Sequence, residues 1–114
     1  MITYLPHRRK AFRGTVAIGL FGGGGSSSNV IEYIMIATES NATDFGNLTV
    51  GRSQLGSCGS SIRGVWLGGS TPGVSYVIDY VTIATTGNPT NFGSVSNNPI
   101  WMLAGLSSET RGIF

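Results

Sequence analysis

A nine-residue block occurs twice, as Val30-Ile31-Glu32-Tyr33-Ile34-Met35-Ile36-Ala37-Thr38 and, 47 residues later, as Val77-Ile78-Asp79-Tyr80-Val81-Thr82-Ile83-Ala84-Thr85. The offset persists through the turn residues that follow, Asn41-Ala42-Thr43-Asp44-Phe45-Gly46 matching Asn88-Pro89-Thr90-Asn91-Phe92-Gly93. A second landmark comes three times, as Gly19-Leu20-Phe21, Gly64-Val65-Trp66 and Gly112-Ile113-Phe114, and its first two copies lead into the glycine runs Gly22 to Gly25 and Gly68-Gly69. A chain duplicated in this way is built from copies of one supersecondary unit, and such units bury their apolar surface by stacking on one another.

Alternation within the block decides the kind of unit. One face of Val30 to Thr38 presents Val30, Glu32, Ile34 and Ile36, and the other presents Ile31, Tyr33, Met35 and Ala37. Both faces are largely apolar, so the strand needs cover on both sides. Valine, isoleucine, threonine and tyrosine favour β structure, the intervening glycine, asparagine and serine supply turns, and no helical window of useful length stands out. The spacing between the glycine landmarks, 45 and then 48 residues, falls within the roughly 40 to 50 residues of a β-propeller blade. Blades are small antiparallel sheets covered on each side by a neighbour.

The 114 residues make at most one domain, able to bury roughly 65% of its extended surface. With 11% charged residues, 40% hydrophobic residues and 18 glycines, the chain is neither a disordered polyelectrolyte nor a typical solvated surface, which points to partners covering it. Charge is unevenly placed. Arg8, Arg9, Lys10 and Arg13 make the first 14 residues basic, whereas the remainder sets three arginines against five acids, a net −2. With no basic pattern extending into the repeats to follow a phosphate backbone, docking on an acidic protein surface ranks above nucleic acid. The arm also carries Tyr4, His7 and Phe12, and aromatic and arginine side chains are favoured interface anchors. It reads as an extended tether that fastens the protein to a larger particle, the alternative being a disordered basic tail.

Cys58 is the sole cysteine, which excludes an intrachain disulfide and a cysteine metal cluster and suits a small buried hydrophobe. Glu32 and Asp79 interrupt the longest apolar runs, so no segment reaches the roughly 18 apolar residues of a membrane span, and no signal-peptide pattern opens the chain. His7 is the sole histidine and has no triad partners that sequence can place beside it, and the five acids are scattered; neither a catalytic centre, a metal site nor any other cofactor is expected. The run from Gly22 to Ser28 lacks the lysine and helix of a phosphate-binding loop and reads as a flexible turn. Asn41-Ala42-Thr43 and Asn47-Leu48-Thr49 fit turn-stabilising side chains better than glycosylation sites, with Phe45 and Phe92 anchoring their turns onto the core. Glu32 and Asp79 hold equivalent strand positions, and a buried carboxylate must be paired. Arg63 and Arg111, each directly before a glycine landmark, are the expected partners.

The order of these features resembles kelch repeats: a glycine run after an apolar strand, a tyrosine-centred strand, a threonine-rich turn ending in an aromatic, then an arginine. It runs through Gly22 to Gly25, Tyr33, Phe45 and Arg52, and again through Gly68-Gly69, Tyr80 and Phe92. The second copy has Ser96-Asn97-Asn98-Pro99 where an arginine matching Arg52 would stand, and phenylalanine replaces the usual turn tryptophan. The wording Ile83-Ala84-Thr85-Thr86-Gly87-Asn88 and Asn91-Phe92-Gly93 is similar to kelch-like arrays in bacteriophage structural proteins, and the arm Arg8 to Arg13 to N-terminal segments of phage virion and tail proteins. The resemblance implies a virion location and no enzymatic activity.

The resulting expectation is an all-β chain of tandem antiparallel kelch-like blades, two plus a partial third. It divides into a basic arm (1–14), a first repeat (15–63), a second repeat (64–111) and the start of a third strand (112–114). Propellers hold roughly four to eight blades, so closure is expected through homo-oligomerisation, with Glu32, Asp79, Arg63, Arg111 and Phe114 serving repeat and assembly, and with Phe114 and its two neighbours joining the next chain's sheet. The expected role is a tail, tail-tip or fibre component binding itself, other virion proteins and a host surface glycan. The alternatives are a capsid decoration or cement protein and a carbohydrate-binding module using Tyr76 or Trp101.

Overall fold

The computed structural model describes residues 17–95 and 102–114. The fold is all-β, as the alternation and the turn chemistry predict. Strands β1 (Ile18–Gly22), β2 (Val30–Met35) and β3 (Thr43–Asn47) form a three-stranded antiparallel meander. Next comes β4 (Gly56–Gly59), then β5 (Arg63–Leu67), a small hairpin of β6 (Ser70–Thr71) and β7 (Gly73–Val74), β8 (Val77–Thr82) and β9 (Thr90–Ser94). Of these, β4, β5, β8 and β9 make a four-stranded meander in that order. Finally β10 (Leu106–Ser107) and β11 (Gly112–Ile113) form a short hairpin.

The repetition extends to single hydrogen bonds. Register shifts at Ile31/Glu32 and again at Ile78/Asp79 place a bulge at the same point of both sheets. Gly23 N–H donates to Val30 O and Gly68 N–H to Val77 O, each at 3.0 Å, and Ile36 N–H to Ala17 O is matched by Ile83 N–H to Ile62 O. The third copy is visible in its turn: Ser60 N–H donates to Arg63 O and Ser108 N–H to Arg111 O, each at 2.8 Å, with both serine hydroxyls accepting from the two residues that close the turn. The third repeat thus contributes two strands rather than one. The sheet boundary also differs from the boundary set by the glycine landmarks, because β4 precedes Gly64 yet belongs to the second sheet.

The two larger sheets stack face to face, and the core lies between them. Ile31, Phe45 and Leu48 from the first repeat meet Trp66 and Val81 from the second, with Leu20, Tyr33 and Leu55 around them. The sheets approach closely at Gly64, where an added Cβ would lie 2.8 Å from the end of the Leu20 side chain. The glycine runs serve the same junction. Gly23 (φ 77°) and Gly69 (φ 98°) hold left-handed backbone against the carbonyls of Arg52 and Ser53, each 2.6 Å from where a Cβ would stand, so a side chain at either would be strained and obstructed. The Gly22 to Gly25 run is therefore a bonded turn, with Gly24 N–H donating to Arg52 O, and the flexible turn expected from its composition is replaced by one tied to the next loop.

Candidate functional site

A fully buried ion pair lies at the junction of the repeats. Arg52, in the loop after β3, enters the second repeat and is fully buried. Its Nη2 donates to Asp79 Oδ2 at 2.7 Å, and its Nη1 donates to the carbonyls of Gly68 (2.7 Å) and Val77 (2.8 Å). Asp79, on β8, is equally buried and accepts from Thr49 Oγ at 2.7 Å (Oδ1) and from Thr49 N–H at 3.2 Å (Oδ2). Among the described residues this is the one ion pair, and Arg52 Nε is the one buried side-chain polar atom without a partner.

This corrects the pairing expected from sequence. Arg63 is exposed, with its guanidinium 4.5 Å from the centroid of the Tyr80 ring, a cation–π contact. Arg111 lies in the β10–β11 turn and is likewise exposed. Neither pairs with Asp79, because strand parity turns its carboxylate toward the first repeat, where Arg52 arrives. Glu32, the sequence equivalent of Asp79, is exposed on the outward face of the first sheet, in register with Asp44. The sequence offered Arg52 only as a repeat landmark; its function as clasp depends on the loop path between sheets, which spacing does not encode.

Phe45 and Phe92 also part company. Each packs edge-on against the tyrosine of its repeat, Tyr33 at 5.9 Å and Tyr80 at 5.8 Å. Phe45 is 3% exposed and Phe92 is 58% exposed, so only the first anchors its turn into the core. Phe114 lies against Gly56 and Gly105 and is paired through its hairpin with its own chain. Cys58 is partly buried on β4, and burial pushes its thiol pKa up. The arm residues Tyr4, His7, Arg8, Arg9, Lys10, Phe12 and Arg13, and Trp101, lie outside the described residues; Tyr76 is exposed.

A groove of about 490 Å³ runs along the far face of the four-stranded sheet, between Val65, Leu67, Ile78 and Phe92 on one side and the β10–β11 hairpin on the other, with Arg63 and Arg111 among its walls. Adjoining copies of the turn meet at its end, where Ser61 Oγ donates to Glu109 at 2.6 Å. Among the described residues no three His, Cys, Asp or Glu side chains gather as a metal site would require, and no helix is long and apolar enough to cross a membrane. Comparison with protein-family models, curated proteins and solved structures finds no match.

Proposed function

We propose that this chain is a non-enzymatic structural protein of a bacteriophage virion, a component of the tail, tail tip or fibre, in which copies build a β scaffold that contributes to host attachment. The observation that carries the scaffold reading is the contrast between Phe45 and Phe92, equivalent residues that are 3% and 58% exposed. The repeat is written to be covered on both faces, and among the described residues the two larger sheets cover one another only at their shared junction, with the short β10–β11 hairpin bordering one outer face. The best-formed ionic group also favours structure over chemistry, since Arg52 and Asp79 are sealed from solvent and bonded to the chain itself, out of reach of any substrate. The virion assignment is supported by the kelch-like wording of the repeats and by the basic, aromatic arm.

Antibody labelling of purified particles tests the assignment. Label at the tail or its tip is the expected result, label over the head would favour the decoration or cement reading, and absence from particles would overturn a virion role.

A further inference from the structure

The junction inside the molecule has two halves, and among the described residues each half recurs on a face that neither larger sheet covers, the short β10–β11 hairpin bordering one of them on the β4 side. One half is the inner face of the three-stranded sheet, Leu20, Ile31, Tyr33 and Phe45. Its counterparts at offsets of 45 and 47 residues are Val65, Ile78, Tyr80 and Phe92, on the groove face of the four-stranded sheet. The other half is Trp66, Asp79 and Val81. Its counterparts are Phe21, Glu32 and Ile34, on the outward face of the three-stranded sheet, where Phe21 is 57% exposed against 3% for Trp66. We propose that these two outward faces make the same contact in trans, the three-stranded sheet of a second copy docking on the groove face of the four-stranded sheet. The inference rests on the scaffold part of the proposed function and is independent of the virion assignment.

Strand edges fit the same scheme. Within the chain β4 borders β5 through the pairs Cys58↔Val65 and Gly59↔Gly64, and β10 borders β11 through Leu106↔Ile113 and Ser107↔Gly112. Gly19-Leu20-Phe21 of the second copy carries the same glycine, apolar, aromatic order as Gly112-Ile113-Phe114 and takes its place beside β10. Two residue pairs hold β11 to β10, whereas five hold β1 to β2, so the exchange gives up a short ladder and the packing of Phe114 on Gly56 and Gly105, which Phe21 of the second copy replaces, and keeps the long ladder. The product is a four-stranded sheet, β10 followed by β1, β2 and β3 of the neighbour, in the pattern of β4, β5, β8 and β9.

Charge agrees in sign with this pairing. Glu32 and Asp44 stand opposite one another on the incoming sheet, and the groove that receives it carries Arg63 and Arg111 against one acid, Glu109, which is bonded to Ser61. The sequence supplies no counterpart of Arg52 for the contact in trans, since Ser96-Asn97-Asn98-Pro99 occupies that place, so the contact between copies is weaker than the one within a copy. Because one face meets a different face, the contact is heterologous and propagates into a ring or a filament rather than stopping at a symmetric pair.

Single-face variants test this by sedimentation. Phe21→Lys blocks the face of the three-stranded sheet and Phe92→Lys blocks the groove face; both side chains are more than half exposed, and circular dichroism checks that each variant keeps its β signal. Each variant alone is expected to sediment as a monomer, and their equimolar mixture as a two-chain species, because each retains the face the other lacks. Should either lysine variant fail to fold, Phe21→Ser and Phe92→Ser replace the pair. A mixture that stays monomeric, a single variant that associates as the unmodified chain does, or an unmodified chain that never associates would overturn the proposal. The sedimentation result stands whatever particle labelling shows, so the failure of either reading is told apart from that of the other.

Discussion

Arg52 and Asp79 lie 27 residues apart in sequence and 2.7 Å apart in space, in different repeats, with neither side chain reaching solvent. The clasp satisfies Asp79 through Thr49 and holds the small β6–β7 insertion through the carbonyls of Gly68 and Val77. Two buried ions cost several kcal/mol each in lost hydration, and close pairing together with these extra hydrogen bonds offsets that cost. Removing one partner leaves the other buried and unpaired. Arg52→Ala is therefore expected to destabilise the fold by about 3–5 kcal/mol in chemical denaturation. The double variant Arg52→Met, Asp79→Leu is expected to lose much less than the two single changes together, because it leaves no lone charge; additive losses would contradict the account.

Thr49 contributes a hydroxyl and a backbone N–H to the same carboxylate. Thr49→Val keeps the shape and removes the hydroxyl donor. The expected loss is about 1–3 kcal/mol, the range for leaving a buried polar group short of a partner, read as a lower denaturation midpoint with an unchanged slope.

Equivalent aromatic residues should respond unequally. Phe45→Ala empties a site in the core and is expected to cost about 3–5 kcal/mol. Phe92→Ala gives up an edge-on contact with Tyr80 at the surface, worth about 1 kcal/mol, when measured at concentrations where the chain is monomeric. Equal costs would mean that both faces are covered.

Cys58 borders the groove and its thiol titrates above the ordinary range because burial disfavours the thiolate. Since the thiolate is the nucleophile, alkylation near neutral pH should be slower than for a free cysteine, and its rate should still be climbing at a pH where the free thiol has reached its plateau. Unfolding in denaturant should abolish the difference.

Much of this architecture was legible in the repeat. The Val-Ile-acid-Tyr strand, the turn aromatic and the glycine landmarks recur because each repeat solves the same steric problem, and the bulges, turns and hydrogen bonds recur with them. The serine- and glycine-rich strand β4 (Gly-Ser-Cys-Gly) carries no apolar alternation, so its existence depends on the ladder it makes with β5. Identical sequence positions also acquire different surroundings. Glu32 and Asp79 share a place in the repeat, yet Asp79 faces another sheet and Glu32 faces outward. That difference belongs to the order of stacking, as does the choice of Arg52 over Arg63, and neither is written in local spacing.

Sedimentation equilibrium of the purified chain over a range of concentrations tests the claim that its outward faces are halves of a contact. The predicted result is a weight-average mass that rises with concentration from one chain to two and beyond, with folded β structure throughout. A folded chain that keeps the mass of one molecule at every concentration would contradict it.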